Sequence, residues 1–376
     1  MILTGDLGIL FTFQKLITIP NYDLSEKWRP YIRKLIIVLR CLPFACSAII
    51  VFYQCFSYIR SRRDGFSEIS DIAFIVSEFD YTFMKVIMGL IAIYAITHNK
   101  SHIKFLNSLE NYERNYAVFM IKPRKLMKLW NNTKFSITVL HLIFLNTLNL
   151  FMGENYYRED SIIWNFFYTL SITIIDIEGI YVAALAQLIG DFIAKAKRSS
   201  NCKEIIMTRS IIMFSRDSIK LLSAFNDAFG IILFFALTVE FVCWSISCFF
   251  LIWLLNVKEH VDHKDSFIVG CTTWTIRSFF MITHIALGCD HFTTTIFDFQ
   301  VNLNTHLTGE YEDMISKFEV HQFQLKKLHQ TLLGLNVSLF KFINVNNSIL
   351  FTIFSSVVAH IVILMQFKQM EEQNNQ

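Results

Sequence analysis

The chain has 376 residues, 53% of them hydrophobic and 17% charged, with 38 Phe, 12 Gly and 4 Pro. A mean hydropathy of +0.43 is too high for a water-soluble enzyme, and so few Gly and Pro exclude collagenous and coil-rich chains. The formal net charge of +3 is too small to point to nucleic acid, which leaves an all-α polytopic membrane protein.

Roughly 20 apolar residues are needed to cross about 30 Å of hydrocarbon at 1.5 Å per residue. Such stretches lie near 34–59, 72–97, 133–152, 161–190, 229–256, 267–289 and 346–367, predicting seven transmembrane helices. Residues 1–33 precede the first, and no small-residue cleavage site follows its apolar run, so it reads as a span rather than a leader. Lys and Arg resist translocation. With the N-terminus inside, 23 of them fall in the cytoplasmic flanks and 7 outside, which predicts an inverted, N-in and C-out topology. Arg60, Arg62 and Arg63 oppose this locally but are accompanied by Asp64, Glu68 and Asp71. A G-protein-coupled receptor would have the opposite orientation.

The organisation expected is therefore a cytoplasmic N-terminus over 1–33 and a six-helix membrane bundle over 34–289, with cytoplasmic helices at 98–128 and 191–228. Cytoplasmic anchor helices at 290–345, a last helix at 346–367 and an extracellular tail at 368–376 complete it. The outside loops near 60–71, 153–160 and 257–266 are too short for a ligand-binding ectodomain, so a small-molecule site belongs among the helices. The sequons at Asn99, Asn131, Asn336 and Asn346 all fall on the cytoplasmic side or at its boundary, out of reach of glycosylation. Seven of the eight cysteines lie in the proposed spans, and no Cys-x-x-Cys or Cys/His ligand spacing occurs. They read as small apolar packing residues, with no metal and no cofactor.

Between the sixth and seventh spans, Leu307, Tyr311, Met314, Phe318, Leu325, Leu328, Leu332 and Leu335 form one apolar stripe at helical intervals. Similar patterns around 102–120 and 203–228 can partner it in a cytoplasmic helical bundle continuous with the membrane helices; the alternative for each is a helix resting on lipid headgroups. In the last span, Ser348, Thr352, Ser355, Ala359 and Gln366 fall on one line over five helical turns, with Val362 or Ile363 in the gap. A small, polar edge ending in an amide suits a water-lined conduit that apolar residues near its outer end can close by dewetting. The same row also suits close helix packing.

The segment Ala359-His360-Ile361-Val362-Ile363-Leu364-Met365-Gln366-Phe367 resembles the insect gustatory receptor signature of Thr-Tyr, five hydrophobic residues and Gln-Phe. Gln366 and Phe367 match, while Ala359 and His360 replace Thr and Tyr. The run from Gly334 to Leu350 resembles the stretch leading into that family's last helix. The resemblance implies a homotetramer, or a hetero-oligomer with related receptors, in the plasma membrane of a sensory dendrite. It would be a ligand-gated non-selective channel for monovalent and divalent cations. Its central pore would be lined by the last helices, with Gln366, Phe367 and Ile363 at the outer constriction and Ala359, Ser355 and Thr352 further along. The anchor helices would hold the oligomer together. His360 departs from the pattern and is expected to hydrogen-bond a neighbouring helix.

Charged residues inside spans face a cavity or a partner, which singles out Glu78, Asp80, Lys85, Asp176, Glu178, Glu240 and Arg277. Counted from the outer ends, Glu78, Asp80, Trp274 and Arg277 fall in the outer half or near mid-depth, and Lys85, Asp176, Glu178 and Glu240 deeper. The resemblance places the ligand in the outer half. There Tyr81, Trp164, Tyr168, Trp244 and Trp274 could stack on a small-molecule tastant while Arg277 and Asp80 supply polar contacts; interfacial anchoring and helix packing are the competing roles. Sugar-sensing members of the family carry Glu directly after the Thr-Tyr pair, where this chain has Ile361, so a bitter or aversive compound is favoured over a sugar. The rivals are an odorant-receptor-like channel sensing volatiles and a secondary transporter, for which the paired broken helices and internal repeat are missing. No intramembrane catalytic motif occurs, so the chain is not expected to be an enzyme.

Overall fold

A computed structural model of the chain describes residues 99–116, 137–148, 162–200, 207–256, 264–309, 336–339 and 343–374, with isolated helical positions between 75 and 94. The N-terminal segment, the first expected span and residues 310–335 of the apolar stripe lie outside the described residues. The elements are α1 (Asn99–Asn115), the short apolar helix α2 (Ile137–Leu148), α3 (Ile162–Ser200), α4 (Met207–Asn256) and α5 (Lys264–Gly309). A two-stranded antiparallel pair follows, β1 (Ser338–Leu339) and β2 (Ile343–Asn344), and then α6 (Asn347–Asn374). Among the described residues, three helices are long and apolar enough to cross a membrane: Ile175–Ala196, Met213–Asn256 and Asn347–Glu371. The α5 segment has the length, but Arg277, His284 and a series of threonines dilute its apolar character.

Several expected boundaries dissolve into longer helices. Residues 191–200 continue α3, 207–228 open α4, and 290–309 extend α5, so membrane and flanking portions share one hydrogen-bonded rod. The 50 residues of α4 extend about 75 Å. The all-helical expectation for 290–345 needs correction, because Ser338 pairs with Asn344 and Leu339 with Ile343 in a small hairpin. The last helix also runs past the expected end at 367 to Asn374.

Among the described residues, several helices turn an apolar face outward, as lipid requires. Ile75, Phe79, Val86 and Leu90 recur at helical intervals and are exposed, as are Ile137, Leu140 and Phe144 on α2 and Ile276, Phe279 and Leu287 on α5. The opposite faces are buried, with Val76, Ile87, Ile91, Val139, Leu142 and Ile285 turned inward. Residues 175–186 of α3 are buried on every side, which marks it as the central helix.

Its contact with α5 depends on glycine. A Cβ at Gly288 would stand 2.6 Å from the Ala183 carbonyl oxygen, and one at Gly190 would stand 2.7 Å from Cδ2 of His291. Small residues let helix backbones approach where lipid supplies no hydrophobic drive to push helices together.

Farther along, α1 uses its apolar stripe on protein. Phe105, Leu109 and Tyr112 are buried while Lys104, Glu110 and Arg114 stay exposed. Phe105 meets Phe225 and Phe229 edge-on, and Tyr112 packs against Phe192 and Phe214. The Tyr112 hydroxyl bonds Ser218, Tyr116 donates to Asp217 at 2.8 Å, and the His102 ring bonds the Ala228 carbonyl. Burial pushes the ionisation of Tyr112 well above its ordinary range, so the phenol remains neutral. This helix packs in a bundle continuous with α4 rather than lying alone on a surface.

Gly288→Ala forces a methyl against a backbone oxygen that cannot rotate away. It should lower stability by about 1–3 kcal/mol, measured as a lower thermal midpoint of the detergent-solubilised protein. An unchanged midpoint would show that α3 and α5 do not need this close approach.

Candidate functional site

Two features stand apart from ordinary packing: a buried ionic network in the bundle and an uncovered last helix. In the first, Arg277 of α5 is fully buried between Asp176 of α3 and Glu240 of α4. Its Nε donates to Asp176 Oδ2 at 3.0 Å and its Nη2 to Asp176 Oδ1, while Nη1 and Nη2 donate to Glu240 Oε2 and Oε1 at 3.1 and 3.0 Å. Asn146 of α2 adds an amide bond of 2.8 Å to Asp176 Oδ2 and one of 3.0 Å to Thr173. Four helices therefore meet in one hydrogen-bonded network.

Arginine suits this position better than lysine. Its planar fork offers N–H donors to two carboxylates at once, whereas a lysine ammonium is a point charge. A charge in an apolar interior costs several kcal/mol unless it is paired and hydrogen-bonded, and here the carboxylates and the amide supply those bonds. On its own helix, Arg277 lies one turn from Trp274, and its guanidinium carbon sits 4.7 Å from the centre of that ring, a cation–π geometry. Trp274 is only partly buried.

The placement corrects two expectations. Asp176 and Glu240 are not deeper than Arg277: counted from the ends of α3, α4 and α5, all three stand at about 20–24 Å because α5 begins at Lys264 and α3 at Ile162. Arg277 also directs its donors at protein carboxylates instead of holding them free for a ligand.

Trp244, grouped with the ligand residues by depth, is buried with its ring 5.6 Å from Phe279 of α5 and 6.2 Å from Phe354 of α6. It joins the bundle to the last helix. Trp164 and Tyr168 belong to α3, but their side chains, like Glu78, Asp80, Tyr81 and Lys85, lie outside the described residues. Asn146 and Thr173 escaped sequence reasoning. The available signal was Thr173 and Asp176 sharing one face of α3, together with an asparagine inside an apolar helix.

The last helix presents two faces. Ile349 and Val357 are buried against the bundle, with Ile353, Ile361, Leu364 and Met365 partly covered. His360 stacks on Phe241 with ring centres 6.3 Å apart, and its Nδ1 has no hydrogen-bond partner among the described residues. On the other side, Thr352, Ser355, Ala359, Ile363, Gln366 and Phe367 are all exposed. Large apolar residues flank them, including Phe351 at 76% exposure. The small, polar edge read from the sequence is thus turned away from its own bundle.

Arg277→Leu leaves two carboxylates buried without their cation and should cost about 3–5 kcal/mol. Adding Asp176→Asn and Glu240→Gln should recover part of that loss. Thermal midpoints and monodispersity in detergent check both, and a single variant as stable as the parent would show that the network is dispensable.

The sequence profile of the 7tm chemosensory receptor family matches residues 7–371. No curated protein matches by sequence. Among solved structures, the chain is similar to the insect olfactory receptor OR5 from Machilis hrabei, determined alone and in complex with eugenol. Each shares 12% identity over 97% of both chains, with a TM-score of 0.60. At that identity the likeness shows the fold alone. With the match running nearly end to end, the chain belongs to the 7tm chemosensory receptor family.

Proposed function

We propose that the protein is a gustatory receptor acting as a ligand-gated, non-selective cation channel, with seven spans and a cytoplasmic N-terminus. The pore would be lined by the α6 helices of four copies. The observation that carries this reading is the orientation of α6: Thr352, Ser355, Ala359 and Gln366 lie on its uncovered side. A small, polar edge that a membrane helix turns away from its own bundle would be completed by other copies around water. Ile363, Gln366 and Phe367 would form the outer constriction.

The ligand would sit in the outer half of the bundle, with Trp274 as its aromatic contact. Asp80, Tyr81, Trp164 and Tyr168 are proposed to contribute to the same pocket. Arg277 would shape it by holding Trp274, and Trp244 would relay its state through Phe354 to α6. The donors of Arg277 are committed to Asp176 and Glu240, so this guanidinium is not held free for the hydroxyls of a sugar. An aromatic, bitter or aversive compound suits the remaining surface better. Eugenol, bound by OR5, supports keeping a volatile aromatic as the second reading, an odorant-type role on the same scaffold.

Oocytes expressing the full chain, challenged with alkaloids, sugars and eugenol, should show evoked cation current reversing near zero potential. Gln366→Ala should change unitary conductance or relative permeability; conductance, selectivity and gating identical to the wild type would remove α6 from the pore. Trp274→Ala should raise the half-activating concentration by about tenfold, as expected for loss of one stacking contact. An unchanged dose–response would take Trp274 out of the pocket.

A further inference from the structure

The base of the last helix is tied to α4 and α5 by side chains the pore and pocket leave unused. Asp290 of α5 accepts two hydrogen bonds from Asn347, the first residue of α6: 2.9 Å from the side-chain amide to Oδ2 and 3.4 Å from the backbone N–H to Oδ1. A carboxylate is suited to this place, since it accepts on both oxygens and its charge is favourable at a helix N-terminus. Asn346 caps the same helix internally, accepting from the Ser348 N–H at 3.1 Å and its hydroxyl at 2.6 Å.

The hairpin leading into α6 is held as firmly. Asn226 of α4 behaves as a piece of strand, its Nδ2 donating to the Asn336 carbonyl at 2.8 Å and its Oδ1 accepting from the Ser338 N–H at 3.2 Å. Thr293 of α5 accepts from the Val337 N–H at 3.3 Å, and Val345 N–H closes onto the Val337 carbonyl at 2.7 Å. Beside Asp290, His291 bonds Asp191 of α3 at 2.9 Å, and Gly190 of α3 leaves room for the His291 ring. α5 is one unbroken helix, so Trp274 and Arg277 lie on the same rod as Asp290, about 20 Å away along it.

We propose that Asp290 and Asn347 couple the bundle to the gate: displacement of α5 moves the Asp290 carboxylate, and Asn347 carries that motion into α6. Asn226 keeps the hairpin from absorbing it. Asp290 is a positioning residue in this scheme, touching neither ligand nor permeant ion. The inference rests on the channel reading above and adds the element that joins its two ends.

The test needs no identified ligand. In the full chain in lipid nanodiscs, Ser355→Cys reports access to the proposed conduit through its rate of labelling by a charged, membrane-impermeant maleimide, read at that peptide by mass spectrometry. Trp274→Ala serves as the perturbation on α5. With the clamp intact, it should change the labelling rate by about fivefold or more, the lower end of ordinary site-to-site coupling. Asp290→Ala should abolish that response, as should Asn347→Ala if the first variant does not fold. The exchange Asp290→Asn with Asn347→Asp, which restores an acceptor–donor pair, should return it. A merely structural role would shift the baseline rate and leave the response to Trp274→Ala in place, and that result, or an exchange variant behaving like Asp290→Ala, overturns the proposal. Absence of labelling at position 355 in every background instead overturns the pore reading itself.

Discussion

One guanidinium sets the register of the bundle. Arg277 reaches Asp176 and Glu240 across sequence separations of 101 and 37 residues, and Asp176 is further engaged by Asn146. Sliding or rotating any of α3, α4 and α5 by one residue would leave a formal charge in an apolar interior without its partner, a penalty of several kcal/mol per ion. Apolar side chains tolerate such slips far better, because leucine packs almost as well against one neighbour as another. The ionic centre therefore specifies a unique arrangement more than it adds net stability.

From that level the structure has two sides with different demands. Toward Trp274 the network ends on an aromatic face, so its charge is hidden while its shape is transmitted. In the other direction α5 continues as an uninterrupted rod, past the close approach at Gly288 and Ala183, to the side chains that hold the hairpin and the start of α6. Rigid helices of 46 and 50 residues are the physical reason that events at one end can matter at the other. Regular hydrogen bonding makes a helix resist bending more than a loop of the same span.

The last helix is the exception to the close packing elsewhere. α3 and α4 are largely enclosed, but α6 touches the bundle along a single strip through Ile349, Val357, the His360 ring on Phe241 and the Phe354 ring on Trp244. A helix held at its base by directed hydrogen bonds and along its length by a few ring contacts can pivot at modest cost, because dispersion contacts re-form where hydrogen bonds to fixed partners do not.

Much of this was legible in the order of residues alone. Apolar runs of the length of a bilayer marked α3, α4 and α6, the amphipathic pattern around 102–120 marked a helix with one apolar face, and the spacing of Thr352, Ser355, Ala359 and Gln366 marked one helix edge. Those are properties of single helices, which periodicity reports directly. Only the tertiary structure decided which way that edge faces, that Arg277 belongs to Asp176 and Glu240, that Trp244 lies against α6, and that a hairpin rather than a helix precedes it. Each of these depends on the depth and rotation of one helix relative to another, and a local pattern carries no information about either until a buried charge, a glycine crossing or a bridging amide such as Asn226 selects one arrangement.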